Sequence, residues 1–207
     1  RHWVTWGSQV MAYSGLGYLW GYPESSVEAR SKIVFADYVG AAMLSLVVLA
    51  GLEFRDQTGE GQFVELSLLD GQASLLGPAY LDYTVNSRDW NAMGYRETLG
   101  SLYAPYNCYP CKESESWIII ACQTDQEWKA LVRVLGHPTW ANENRFSSIA
   151  RRREHSKDLD DLVRAWTANH TAWEVFQLLQ LGGVPAGIAM SGEDLYRDPH
   201  LRSRGHI

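Results

Sequence analysis

Between positions 39 and 52 nearly every residue is apolar or small, a pattern that predicts a helix buried on all sides and not along one stripe. Asp37 stands at the start of this run and reads as an N-cap, where a carboxylate accepts from first-turn N–H groups and is favoured by the positive end of the helix dipole. The DQTGEGQ that follows supplies two glycines for a reversal, and FVELSLL alternates as a half-buried strand does, so the region is expected as helix, turn, strand. Upstream, a short helix from Ser8 to Tyr13 should stop at Ser14-Gly15, with Gly15, Gly17 and Gly21 breaking the next stretch into turns. Downstream, residues 69–85 carry Leu75, Leu76, Ala79, Tyr80 and Tyr83 at helical spacing and should form a helix ending near Asn86.

The second half of the chain changes its pattern. NSRDWNAMGYRETLGSLYAP has no clean period and contains Gly94 and Gly100; loops of that length serve as interdomain linkers or as active-site covers, and the residues leave both open. YNCYPCKESESWIIIACQ reads as a β-hairpin around a polar turn. Thr124 to Glu127 is a capping box opening a helix that Gly136 and Pro138 end, a second helix covers about 157–168 with Leu159, Leu162, Val163 and Trp166 on one face, and a second capping box at Thr171 and Glu174 opens a third. GVPAGIAM returns as a strand and Ser191 caps a brief helix, giving an α+β unit. Trp117, Trp128, Trp166 and Trp173 fall inside these elements and are expected in the core.

Composition narrows the function classes. With 207 residues, 46% hydrophobic content and a net charge of −6, the chain can bury a core, and it has no basic run of the kind a nucleic-acid surface needs. The one cationic cluster, ARRRE at 150–154, is short and flanked by acids, so a solvated helix start is expected there. The apolar run 39–52 is shorter than the roughly 20 residues a membrane span requires, and no signal-type segment opens the sequence; a soluble, cytoplasmic protein, part of a longer product or trimmed, is expected. Three cysteines do not make a disulfide framework, and Cys108 and Cys111, three apart on a strand, point to opposite faces. They are read as packing residues, with no metal site.

ADYVGAA, then the arginine and TGEGQ of 55–62, then VELSLLDG resemble, in this order, the central segment of the family III CoA-transferases, the family of formyl-CoA transferase, crotonobetainyl-CoA:carnitine CoA-transferase and α-methylacyl-CoA racemase. The resemblance continues through the hairpin and the GGVPAGIAM stretch and so covers essentially the whole chain. It implies an α/β architecture in which residues 1–86 are part of a Rossmann-like large domain, 87–102 a linker or active-site loop, 103–190 a small α+β domain and 191–207 the start of a return linker. Two such ring-shaped subunits would interlock as a homodimer, and the family's N-terminal half would lie outside this chain.

The resemblance also implies chemistry. Asp37 falls on the family's catalytic aspartate, a nucleophile that takes an acyl group as a mixed anhydride and then CoA as a thioester. The substrates would be an acyl-CoA and a carboxylic acid acceptor, with no bound cofactor, and the fragment alone would be inactive. MGYR resembles a glycine-containing loop that closes over the thioester, which assigns Gly94, Tyr95 and Gly100 to the substrate loop. Racemases of the family carry a catalytic His where this chain has Trp6, and formyl-CoA transferase an acidic residue near Ser8. A 2-methylacyl-CoA racemase or isomerase, which needs a second acid/base, and a truncated noncatalytic relative used for binding or dimerisation remain the alternatives.

Overall fold

A computed structural model describes residues 5–21, 34–92 and 103–206, and the chain divides into two units, Arg1–Leu99 and Gly100–Ile207. The described part of the first unit is built of helices: α1 (Gly7–Tyr13), α2 (Leu16–Leu19), α3 (Phe35–Thr58), α4 (Leu68–Leu75) and α5 (Gly77–Asn86). Gly15 separates α1 from α2 at φ 85°, and Gly59, at φ 76°, ends α3 with its N–H on the Arg55 carbonyl. Helices α3 and α4 approach closely at two glycines. A Cβ on Gly40 would run into Leu68, and one on Gly71 would stand 3.2 Å from the Met43 sulfur.

Several expectations for this unit are corrected. Helix α3 is not buried on all sides: Ala36 and Gly40 are its buried residues, whereas Leu46 and Leu49 are 69% and 64% exposed. An apolar periphery states what a helix can bury, not how many neighbours it has, and the close glycine approaches of α1 and α4 fall on its first half, at Asp37, Gly40 and Met43. FVELSLL forms no strand. Residues 63–67 are without regular structure and Leu68 already opens α4, its cap made by Ser67 Oγ accepting from the Asp70 N–H. The alternation itself holds, since Val64 and Leu66 are half-buried and Phe63 is 90% exposed; a strand also needs a pairing edge, and none exists among this unit's described residues. The helix expected over 69–85 is two helices, because Pro78 brings no N–H and its ring cannot follow a helical turn, so the chain restarts at Gly77.

Helix α3 has 24 residues and, by length and composition alone, could cross a membrane, which corrects the inference drawn from the shorter apolar run. Charge placement argues the other way. Between Asp37 and Glu53 lie only residues 38–52, about 22 Å at 1.5 Å per residue, against a hydrocarbon core of about 30 Å.

The second unit follows the sequence reading closely. Strands β1 (Tyr106–Pro110), β2 (Trp117–Ala121) and β3 (Ala186–Ile188) form an antiparallel sheet in that order, with Cys108 opposite Ile119 and Ile119 opposite Gly187. Helices α6 (Asp125–Val134), α8 (Ser156–Thr167) and α9 (Ala172–Gly182) and the 3-10 turns Thr139–Asn142 and Asn144–Phe146 supply most of the rest of the core, in which Ile118, Ile120, Leu131, Phe146, Leu159 and Leu179 are fully buried; α7 (Ile149–Glu154) follows those turns. Both capping boxes are formed: Thr124 Oγ1 accepts from the Glu127 N–H at 3.1 Å and Glu127 Oε2 from the Thr124 N–H at 3.0 Å, and Thr171 and Glu174 repeat the exchange. Ser191 caps α10 (Gly192–Arg197), and α11 (Pro199–Ser203) follows.

Two expectations fail here as well. The ARRRE cluster is not wholly solvated, because Arg152 is fully buried. Its Nε donates to the Ala104 carbonyl and Nη1 to that of Phe146, Nη2 pairs with Asp125 at 2.7 Å, and the guanidinium lies 4.8 Å over the Trp128 ring. A charge run cannot reveal that one of its members faces inward. Trp117 and Trp173 are 40% and 45% exposed: one is the first residue of β2, beside the hairpin turn, and the other lies in the first turn of α9, where an indole can lie along the surface. Trp128 is in the core as expected.

Candidate active site

Asp37 is the third residue of α3. Val34 occupies the N-cap position with no side-chain cap bond, so Asp37 is a first-turn acid and not the cap itself; it is still placed where the helix dipole favours its charge. Successive helical residues point about 100° apart, and here the step decides everything: Ala36 is fully buried in a small cluster with Val10 and Met11 of α1, and Asp37 is exposed. The packing that anchors the first turn therefore presents the carboxylate outward.

Helix α1 meets that turn at Gly7, its first residue. A Cβ on Gly7 would collide with Val34 and stand 2.7 and 3.0 Å from the two Asp37 carboxylate oxygens. Gly7 has no positive φ, so what requires a glycine is the close approach and not the backbone conformation. On either side of it, Trp6 is 77% exposed, with its N–H donating to Gln9 Oε1 at 2.9 Å, and the Ser8 hydroxyl also reaches Gln9 Oε1, at 3.3 Å. Neither side chain supplies a titratable group at neutral pH, so this turn of α1 brings bare backbone, and no second acid or base, to Asp37.

The other residues assigned from sequence divide in two. Gly94, Tyr95 and Gly100 lie outside the described residues, as does His2. The segment leading to that loop is tied back on α5: Asp82 accepts from Trp90 Nε1 at 2.8 Å and from Asn86 Nδ2 at 2.6 Å, bonds that hold its carboxyl below the usual range, and Tyr18 donates to Asn91 at 2.8 Å. The cysteines belong to the second unit. All three are free, and burial pushes Cys122 up to about 12 and Cys111 up to about 11, so neither is a ready nucleophile. Among the described residues no group of three His, Cys, Asp or Glu side chains is placed to hold a metal ion.

The family model of CoA-transferase family III matches residues 1–207. The chain belongs to that family. Among curated proteins it is 30% identical, over 97% of its length, to the succinyl-CoA–D-citramalate CoA-transferase of Chloroflexus aurantiacus, and 24% identical, over 95%, to the succinate–glutarate CoA-transferase of Agrobacterium fabrum. It spans about half of these relatives, 49% and 48% of their lengths. A crystal structure of a CaiB/BaiF family protein from Brucella suis shares the fold, with a TM-score of 0.86 at 24% identity over 98% of this chain and 52% of that one. Mixed α/β structure, rich in helix and with a small three-stranded sheet, is thus a fold this chain shares with that protein. The close approach of Gly7 to Asp37 was not legible in the sequence, since nothing in local spacing links residue 7 to residue 37.

Proposed function

We propose that the chain carries the nucleophile-bearing part of a CoA-transferase that moves CoA between an acyl-CoA thioester and a carboxylic acid, with Asp37 as the nucleophile. The observation that carries this reading is the placement of Asp37: an exposed carboxylate fixed by a buried neighbour at the head of a long helix. A carboxylate suits the task because its mixed anhydride is as reactive as the thioester from which it forms. Asp37 attacks the acyl carbon of the donor and the C–S bond breaks, releasing CoA thiolate. The thiolate then attacks the Asp37 carbonyl of the anhydride, giving an aspartyl-CoA thioester and the free donor acid. The acceptor carboxylate displaces CoA from Asp37 to form a second anhydride, and the thiolate attacks its acceptor carbonyl, regenerating Asp37 and producing the new acyl-CoA. Protons are neither gained nor lost in this cycle, and the enzyme needs no cofactor beyond its CoA substrate.

Each anhydride must be kept from water. We assign that task to the loop with Gly94, Tyr95 and Gly100, the 87–102 connection between the large-domain part, 1–86, and the small domain, 103–190. Segment 191–207 is read as the start of the return connection, the working form as a cytoplasmic homodimer with a Rossmann-like large domain, and residues 1–207 alone as inactive. The relatives' names make short dicarboxylates and succinyl-CoA the first acids and donor to try. A racemase is disfavoured by the bare backbone that α1 places beside Asp37. The test is trapping: with the family's N-terminal half supplied, acyl-CoA followed by hydroxylamine should modify Asp37 and no other carboxylate. Transfer retained in a folded Asp37→Ala protein sinks the assignment.

A further inference from the structure

We infer that Gly7 is a positioning residue of the active site, its bare α-carbon being the wall against which the Asp37 carboxylate is set. This rests on Asp37 being the reacting group. Three observations converge on it. The space a side chain at position 7 would need is bounded by Val34, the cap residue of α3, and by both oxygens of Asp37, at 2.7 and 3.0 Å. The two helices are held in that relation from below, where Val10 and Met11 of α1 pack on Ala36 of α3, so the first turns cannot separate without opening the buried cluster. No backbone strain explains a glycine at the first position of α1.

The consequence is geometric. Both oxygens stand where a side chain at position 7 would go, so the missing side chain is what lets the carboxylate hold this place before an incoming thioester carbon. Near-attack placement of this kind is sensitive at the ångström scale, and a misplacement of about 1 Å can cost on the order of a hundredfold in rate. A methyl group at position 7 cannot occupy its site unless Val34 and Asp37 both move. Relief of the first contact by trimming Val34 leaves the second in place.

The experiment therefore compares Val34→Ala with the double variant Gly7→Ala/Val34→Ala, in which the collision with the cap residue is removed and only the carboxylate contact is added. Two readouts are taken. In the chain itself, the carboxyl-carbon chemical shift of Asp37, assigned by its loss in Asp37→Asn, should move in the double variant relative to Val34→Ala while their thermal midpoints agree within about 5 °C, the equivalent of about 1 kcal/mol. In protein complemented with the family's N-terminal half, kcat should fall about tenfold to a hundredfold with KM within about twofold, the signature of a lost orientation and not of lost binding. An unmoved Asp37 resonance overturns the inference, as does a moved resonance with unchanged kcat. A midpoint that collapses in the double variant relative to Val34→Ala assigns Gly7 to the fold and overturns it too. Should the wild-type protein complemented with the family's N-terminal half prove unable to transfer CoA with any acid, the CoA-transferase reading falls, and the resonance still decides whether Gly7 sets the carboxylate.

Discussion

Replacing Arg152 by methionine should destabilise the second unit by about 2–5 kcal/mol, the range for breaking a buried charged network. The stem has a similar length in both residues, so the loss comes from the guanidinium. Its Nε and Nη1 satisfy the carbonyls of Ala104 and Phe146, two residues that are 2% and 0% exposed. Left unpaired, each carbonyl costs about 1–3 kcal/mol. Stacking over Trp128 at 4.8 Å adds about 0.5–2 kcal/mol, and the apolar methionine returns part of the total. The ion pair contributes little, because the Asp125 side chain is 62% exposed; Asp125→Ala should cost about 1 kcal/mol or less. For a unit of this size the Arg152→Met loss corresponds to a fall in midpoint of about 10–25 °C, which tryptophan fluorescence can follow because Trp128 lies directly under the charge. A shift below about 3 °C, under 1 kcal/mol on the same scale, refutes the reasoning. So does a loss in Asp125→Ala equal to that in Arg152→Met, since the exposed ion pair and not the carbonyl bonds would then be the anchor.

The second unit should also weaken in alkali. Cys122 and Tyr109 are buried with their deprotonation pushed upward, whereas in the unfolded chain they lose protons near about 8.5 and 10; stability is therefore full below about pH 8 and falls as pH rises from there toward 12, and urea midpoints at pH 7, 9.5 and 10.5 should decline less steeply in Cys122→Ala. Thiol reagents should leave Cys122 unmodified until urea unfolds the chain, and chelators should not change its stability; stoichiometric zinc would contradict the packing role given to the cysteines. Because Leu46 and Leu49 are exposed on α3, residues 1–207 should self-associate, and Leu46→Glu/Leu49→Glu should shift the molar mass measured by light scattering toward the monomer; a monodisperse wild-type monomer rejects this.

The second unit was the more legible half, for a physical reason. Its elements are bounded by signals that act within four residues, such as Thr124 with Glu127 and Thr171 with Glu174, and its apolar positions face one another inside the same stretch of chain. The hairpin could be read because its polar turn and its two alternating runs are contiguous. Misplacements arose where burial depended on something distant. Arg152 sits in a run of three arginines, and partners outside the run make it the inward one, the Ala104 carbonyl 48 positions earlier among them. In the first unit the pattern of α3 and of residues 63–69 describes surfaces able to be covered, and a pattern cannot state whether the partner surface is present.

The candidate site divides along the same line. Asp37 was singled out because the resemblance lay in ordered motifs, and its exposure follows from one helical step past buried Ala36. Local logic had offered a different role: an acid before an apolar run is a cap, and the N-cap of α3 is Val34. That difference of three positions matters for reactivity. A capping carboxylate is occupied by the N–H groups it satisfies and would have to release them to attack a thioester. An acid on the third residue keeps the favourable field of the helix while its oxygens stay outside the cap, facing the α1 turn at Gly7. The field of the helix and hydrogen-bond saturation are thereby separated, which leaves the carboxylate oxygens outside the cap bonds, as the proposed nucleophile requires.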